Sequence, residues 1–343
     1  MRKRILQAAL VGVLSAAGLA LAAHAADYHA PRTAFGQPDL QGVWTNASLT
    51  TLERPAGLGA LTISDAQAAA IEKRRAQRLT AANRPTNPND PAPPVANDPG
   101  GYNASWTDPG TTMGRIGGQV RTSWLIDPAD GKLPYSSQGR TAFDAALHKA
   151  RTSFDGPEVR PLGERCILGF GSSAGPPMLN VLYNNNYQIV QSPDSVAIDV
   201  EMNHDVRTIR LNAKRHLPPS IRPWMGDSIG HWEGDTLVVE TTNFNPGESL
   251  RPYFGATLYL SKDAKVTERF TRVSPTQILY QFTVDDPAVF SQVWRAEMPL
   301  NAAKGPVYEY ACHEGNYALP DILRGARAAE REGRKPEETG LSE

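Results

Sequence analysis

The sequence predicts a mainly β fold, an antiparallel meander closing into a β-barrel, preceded by an irregular N-terminal arm that carries two helices. Three observations carry this. Between residues 187 and 311, about nine short β-rich runs alternate with turn residues. Their connections are mostly of hairpin length (Ser-Pro-Asp-Ser at 192–195, Glu-Gly-Asp at 233–235), which makes neighbours antiparallel. No helix of crossover length lies among them, and a meander of this size must close or fold over to protect its edges.

The elements follow in chain order. Arg2, Lys3 and Arg4 precede an apolar run from Ile5 to Ala22, and Ala23-His-Ala25 has the small-x-small pattern of a cleavage site. Residues 1–25 therefore predict export to the periplasm or the medium, with a cut after Ala25. No later stretch is apolar enough to span a membrane. Loss of the three basic residues takes the formal net charge from −1 to about −4, which argues against a general nucleic-acid binder.

Residues 26–160 form the arm. Ser64 caps a helix over 63–82, rich in alanine and with Lys73, Arg74 and Arg75 in its second half. Residues 83–118, dense in Pro, Asn, Asp and Gly, read as a long loop. Residues 121–127 read as a strand, and 138–152 as a second helix with Phe143, Leu147 and Ala150 on one face. The barrel domain spans 161–325, its last strand at 307–312, and 326–343 is a polar tail.

Alternation assigns faces. Val196, Ile198, Val200 and Met202 share one side of their strand, and Asp199 and Glu201 the other. Glu268 alternates with Arg269, and Trp294 with Arg295. Two arrangements satisfy this pattern: a solvated outer face with cross-strand ion pairs, or a polar cavity inside the barrel.

Only two cysteines occur, Cys166 and Cys312, and in an oxidising compartment they are expected to pair. That bond joins Gly163-Glu164-Arg165-Cys166 to Cys312-His313-Glu314-Gly-Asn-Tyr317. It gathers a cluster able to do acid–base chemistry or simply to lock the last strand. A second cluster, Glu201-Met-Asn-His204-Asp205-Val-Arg207, sits in a tight turn at the sheet rim, where a histidine beside carboxylates is tuned near neutral pH. His204, Glu201, His313 and Glu314 are the candidate catalytic groups, with Arg207 or Arg165 stabilising an anion. Asn186, Tyr187, Trp232 and Tyr317 are candidate substrate contacts. Trp224 and Trp232 could wall a cleft with Asp227 and His231, although Glu233-Gly-Asp235 is first a hairpin turn. Gly171-Ser-Ser173-Ala-Gly175 matches the spacing of a nucleophile elbow, but Pro176 and Pro177 bar the helix that the elbow needs. No metal-binding spacing occurs, so a metal could be held only if His204, His231 and His313 converge in the fold, and no cofactor is expected.

Pro38-Asp-Leu-Gln-Gly-Val-Trp-Thr45, Pro161-Leu-Gly-Glu-Arg-Cys166, Tyr183-Asn-Asn-Asn-Tyr-Gln-Ile-Val-Gln191, the run from His231 to Phe244, and Tyr308-Glu-Tyr-Ala-Cys-His-Glu-Gly-Asn-Tyr317 resemble a family of exported bacterial proteins. The likeness spans most of the chain. It implies export and carries over no activity and no catalytic residue. Gly42-Val-Trp44 and the strand count also resemble lipocalin-like barrels at the level of fold. Together these readings lead to an exported enzyme acting on a small organic molecule by His/carboxylate acid–base chemistry (a hydrolase, lyase or isomerase). The rival is a lipocalin-like binding protein for a hydrophobic molecule, and an envelope interaction protein is the third class.

Overall fold

The structure, a computed structural model, describes residues 28–82, 107–169, 173 and 175–335. The signal segment, part of the 83–118 loop, most of the would-be elbow and the last eight residues lie outside these. The arm contributes β1 (Gly42–Thr45), β2 (Thr62–Ile63), α1 (Asp65–Ala82), β3 (Arg115–Ile116), β4 (Gln119–Arg121), β5 (Leu125–Asp127) and α2 (Ser137–Thr152). Then come β6 (Asn186–Gln191), β7 (Ser195–Val200), β8 (Asp205–Leu211), β9 (Asp227–Glu233), β10 (Thr236–Thr242), β11 (Leu250–Tyr253), β12 (Ala256–Tyr259), β13 (Lys265–Ser274), β14 (Gln277–Asp285), β15 (Trp294–Ala302) and α3 (Ala318–Arg331).

Nine strands close the barrel in the order β1-β6-β7-β8-β9-β10-β13-β14-β15, and β1 returns to β15. The fold class is the expected one, with a correction to the direction of one strand pairing. β8 and β9 run parallel, Ile209 opposite Ser228. The reason is the connection between them. Residues 212–226 carry Pro218, Pro219 and Pro223 and are long enough to travel back along the barrel before re-entering it.

The ninth strand is also not the one expected. Residues 307–312 form no strand, and the closing position belongs to Gly42–Thr45, which pairs with both β6 and β15. Trp44 from this strand is buried and donates its indole N–H to the Leu40 carbonyl at 2.9 Å. The arm is thus part of the barrel wall. β5 adds to a further stretch of β15, at Arg295 and Ala296. The stretch 121–127 is two short strands rather than one, and the start of the polar tail is helical as far as Arg331.

Both arm helices start on side-chain caps. Ser64 and Gln67 bond reciprocally, Gln67 N–H to Ser64 Oγ at 3.3 Å and Ser64 N–H to Gln67 Oε1 at 3.0 Å. Ser136 Oγ accepts from Gly139 N–H at 2.9 Å. At Gly139 only glycine fits, because a Cβ would meet the Val289 carbonyl at 1.9 Å.

The barrel is filled. Ile189, Val196, Ile198, Val200, Ile209, Leu237, Val239 and Val266 point inward and are buried, as does Tyr187. Phe270, Tyr280, Phe282 and Trp294 form a chain of rings with centroids 4.8, 5.2 and 5.9 Å apart. Among these apolar groups lies one ionic network. Arg207 on β8 forks onto Glu268 on β13, with Nη1 at 2.8 Å from Oε1 and Nη2 closer still to Oε2. Its Nε donates to Ser228 Oγ and its Nη2 to Thr241 Oγ1, both at 3.2 Å. Tyr280 O–H donates to Glu268 Oε1 at 2.7 Å. Five adjacent strands are joined through this group, so the polar residues found inside the barrel structure it rather than line a cavity.

Breaking the pair from one side strands a buried charge. Glu268→Leu should lose about 3–5 kcal/mol in urea unfolding, and adding Arg207→Met should recover most of that. Additive losses in the double variant would contradict a coupled pair.

Candidate functional site

The residues near His204 are drawn together by a strap formed by the chain after β15. Glu201, buried at the end of β7, accepts from Asn186 Nδ2 at 2.9 Å and from the Tyr308 N–H at 3.3 Å. His204 is exposed, in a left-handed conformation (φ 54°), and its Nε2 accepts the Tyr310 N–H at 3.0 Å. Tyr310 stacks on Tyr183, ring centroids 6.4 Å apart. The strap then reaches Cys312, which is bonded to Cys166 as expected, with Cα atoms 5.7 Å apart.

His204, Glu201 and Asn186 therefore meet at one rim, where each holds backbone or a neighbour. His313, Glu314 and Tyr317 follow the disulfide on an exposed turn, and none is joined to His204 or Glu201 by a hydrogen bond or ion pair. Arg207 is spent on Glu268. Tyr187, expected at an entrance, is fully buried because it alternates with Gln188 onto the inner face, and its hydroxyl accepts from Asn46 at 3.0 Å. Trp232 packs against the barrel core. Of the expected substrate contacts, Arg165 lines a cavity.

That cavity, about 340 Å³, lies between the 158–169 loop and the turn that enters β11. Its loop wall is firmly held. Arg160 is buried, forks onto Glu164 at 2.9 Å, donates to the carbonyls of Ala150 and Ser153, and stacks over Phe154. Arg327 of α3 grips the carbonyls of Phe154 and Asp155 at 2.6 and 2.9 Å. The facing wall is Pro246-Gly-Glu248, a short 3₁₀ turn capped by Asn245. Trp224 forms the third side and packs so tightly on Gly247 that a Cβ there would approach its ring to 2.8 Å.

Trp224 also lines a second, more open hollow of about 420 Å³ with Ile167, Leu168, Asp205 and Val206. The two hollows adjoin at this indole and at the 158–169 loop. The crossover that carries Trp224 is pinned by His216, whose Nδ1 lies 2.8 Å from Asp227 Oδ2 and whose Nε2 lies 3.2 Å from Glu240 Oε1.

Two titratable residues line the adjoining hollows, Glu248 the first and Asp205 the second. Glu248 is only 4 % exposed, and among the described residues its carboxyl group makes no hydrogen bond or ion pair. Burial pushes it up to about 8; the buried Arg251 guanidinium opposes this and the charge of Asp205 adds to it. Asp205 accepts the Gly169 N–H at 2.7 Å. Burial pushes it up to about 6, against that hydrogen bond and the neighbouring His204. Burial thus sets the two carboxyl groups apart, with the larger rise at Glu248. Asp205 lay inside a named motif, overshadowed by His204. Glu248 sits in a Pro-Gly-Glu-Ser stretch that reads as a surface turn, and no local signal distinguishes it.

Among the described residues no group of three or more His, Cys, Asp or Glu is arranged to hold a metal ion. The chain matches no protein-family model, no curated protein and no solved structure.

The raised Glu248 has a consequence for stability. In the unfolded chain a glutamate ionises near 4.3, whereas the folded chain keeps this one protonated to about 8. Between those values the folded state binds the extra proton, so its contribution is full below about pH 4 and is lost as pH rises towards 8. Glu248→Gln should remove a slope worth on the order of 5 kcal/mol across that window. Urea unfolding of both proteins from pH 4.5 to 8.5 measures it, since the other titrating groups are common to both.

Proposed function

We propose that the protein is an enzyme that acts on a small organic molecule by acid–base chemistry in the groove beside Trp224, with Glu248 as proton donor and Asp205 as base. The observation that carries this reading is a pair of adjoining hollows that share Trp224, one lined by Glu248 and the other by Asp205, with burial pushing the two up to about 8 and about 6. Environments that push paired groups apart in this way assign acid and base. Trp224, which lines both hollows, gives a substrate body an apolar surface to pack on.

This reading keeps the acid–base chemistry expected of the chain and moves it. His204 is next to Asp205 in sequence and, like Glu201, anchors the strap, accepting the Tyr310 N–H as Glu201 accepts that of Tyr308. Hydrolase, lyase and isomerase reactions all use such a donor and acceptor. The alternative of a hydrophobic ligand held inside a lipocalin-like barrel has less support, because the interior is occupied by the Phe270–Trp294 rings and the Arg207–Glu268 pair. The disulfide supports export, as such bonds persist in oxidising compartments, and no helix among the described residues is long and apolar enough to cross a membrane.

Screening the mature chain against ester, lactone, enol and elimination substrates tests the reading. Any turnover found should follow a bell-shaped pH profile with limbs near 6 and 8. Glu248→Gln and Asp205→Asn should each lower kcat by about 100-fold or more with the fold intact by circular dichroism. Turnover unchanged in both variants would sink it.

A further inference from the structure

The cavity beneath Glu248 has a chemical character of its own. Its lining includes an apolar set, Leu162, Trp224, Pro246, Leu250 and Pro252. Its rim carries two cations, Lys149 from the last turn of α2 and Arg165 from the loop. Among the described residues neither has a carboxylate within ion-pair distance, although every other arginine lining the two hollows is paired or buried against carbonyls. Arg165 makes a single long bond, Nη1 to the Glu158 carbonyl at 3.4 Å. The Glu158 side chain also reaches this rim, but its carboxylate folds back over Gly156, where an ideal Cβ would lie 2.6 Å from either oxygen. Glu164 is neutralised by Arg160.

We propose that this cavity takes an amphipathic organic carboxylate, its apolar or aromatic body against Trp224 and Leu250 and its head group between Arg165 and Lys149. The proposal rests on the reading of this groove as the active site and names the class of substrate it admits. A guanidinium with spare donors beside an ammonium matches the geometry of a carboxylate. An apolar lining with a few charged groups at one end is the usual form of a small-molecule pocket, and the volume, about 340 Å³, lies at the lower end of the usual range of about 300–1,000 Å³. The inner wall agrees: the protonated Glu248 adds no negative charge to repel an anion and leaves a hydroxyl to donate.

Naphthoate and naphthamide share one ring system and differ in charge, so their binding to the mature chain separates the two ends of the cavity. Calorimetry at pH 7 should give naphthoate about tenfold or greater preference over naphthamide. The double variant Lys149→Gln, Arg165→Gln should erase that preference while naphthamide binding persists. Glu248→Gln should keep the preference, so a failure of the catalytic reading shows as turnover surviving in that variant, independently of the binding result. Equal affinity for both ligands, no binding of either, or a preference that survives loss of both cations would overturn the proposal.

Discussion

The Arg207–Glu268 fork is the constraint around which the barrel is organised. Two opposite charges sit at 2 % and 0 % side-chain exposure in the middle of an aromatic and aliphatic core. Isolated, either would be prohibitively costly there. Together, with Ser228, Thr241 and Tyr280 completing the shell, every member is satisfied, and each member comes from a different strand of a consecutive run of five. A slip of one residue in any of those strands would turn its polar member outward and leave a charge stranded. The network thus sets register across half the barrel. It also raises the Arg207 guanidinium above its ordinary range through the adjacent carboxylate, although burial acts the other way.

A filled interior decides where chemistry can occur. Packed rings and the ionic network occupy the barrel interior, and the groups of the proposed site lie at its outside: the start of β8, the crossover before β9 and the turn before β11. Loops on a rigid scaffold are the common location for such groups. Here each loop is tied back individually, by the Gly169–Asp205 bond, by the His216 clamp and by the Asn245 cap.

The sequence made the strands legible because their period-2 alternation is strong where one face is apolar. It left ambiguous which face a charged residue occupies. Glu268 and Arg269 are neighbours in an alternating strand, yet Glu268 is fully buried and Arg269 pairs with Glu233 at the surface. Only the partner across the barrel, Arg207, decides that, and no local pattern reports a partner 61 residues away. The four-residue Gly42–Thr45 strand was too short to outrank its Pro-rich surroundings, and 307–312 had the composition of a strand with no edge left to pair with. The parallel β9 was hidden for a similar reason, since a proline-rich crossover and a long hairpin loop look alike in sequence. The disulfide was legible by elimination. The Asp205 motif was legible as a rim turn, but the role of its aspartate depends on Gly169 and on burial. Glu248 depends wholly on tertiary packing.

The disulfide has a role that its chain-closure effect does not exhaust. Closing a loop of this length stabilises by about 3–5 kcal/mol in the chain-entropy account, a term indifferent to where the bond sits. Its position is specific: Cys166 lies within the wall of the proposed site, three residues before Gly169, and Cys312 ends the strap that Glu201 and His204 hold. The bond therefore connects the rim of the barrel to the loop that shapes both hollows. With Arg160 and Arg327 holding the earlier half of the wall, Cys166 fixes the later half, which carries the N–H that Asp205 accepts. The Gly169–Asp205 hydrogen bond starts three residues from this staple, whereas the register of the barrel is held by Arg207 and Glu268 at its centre. Fold and site are thus secured by different interactions, an ionic network for one and a covalent staple for the other.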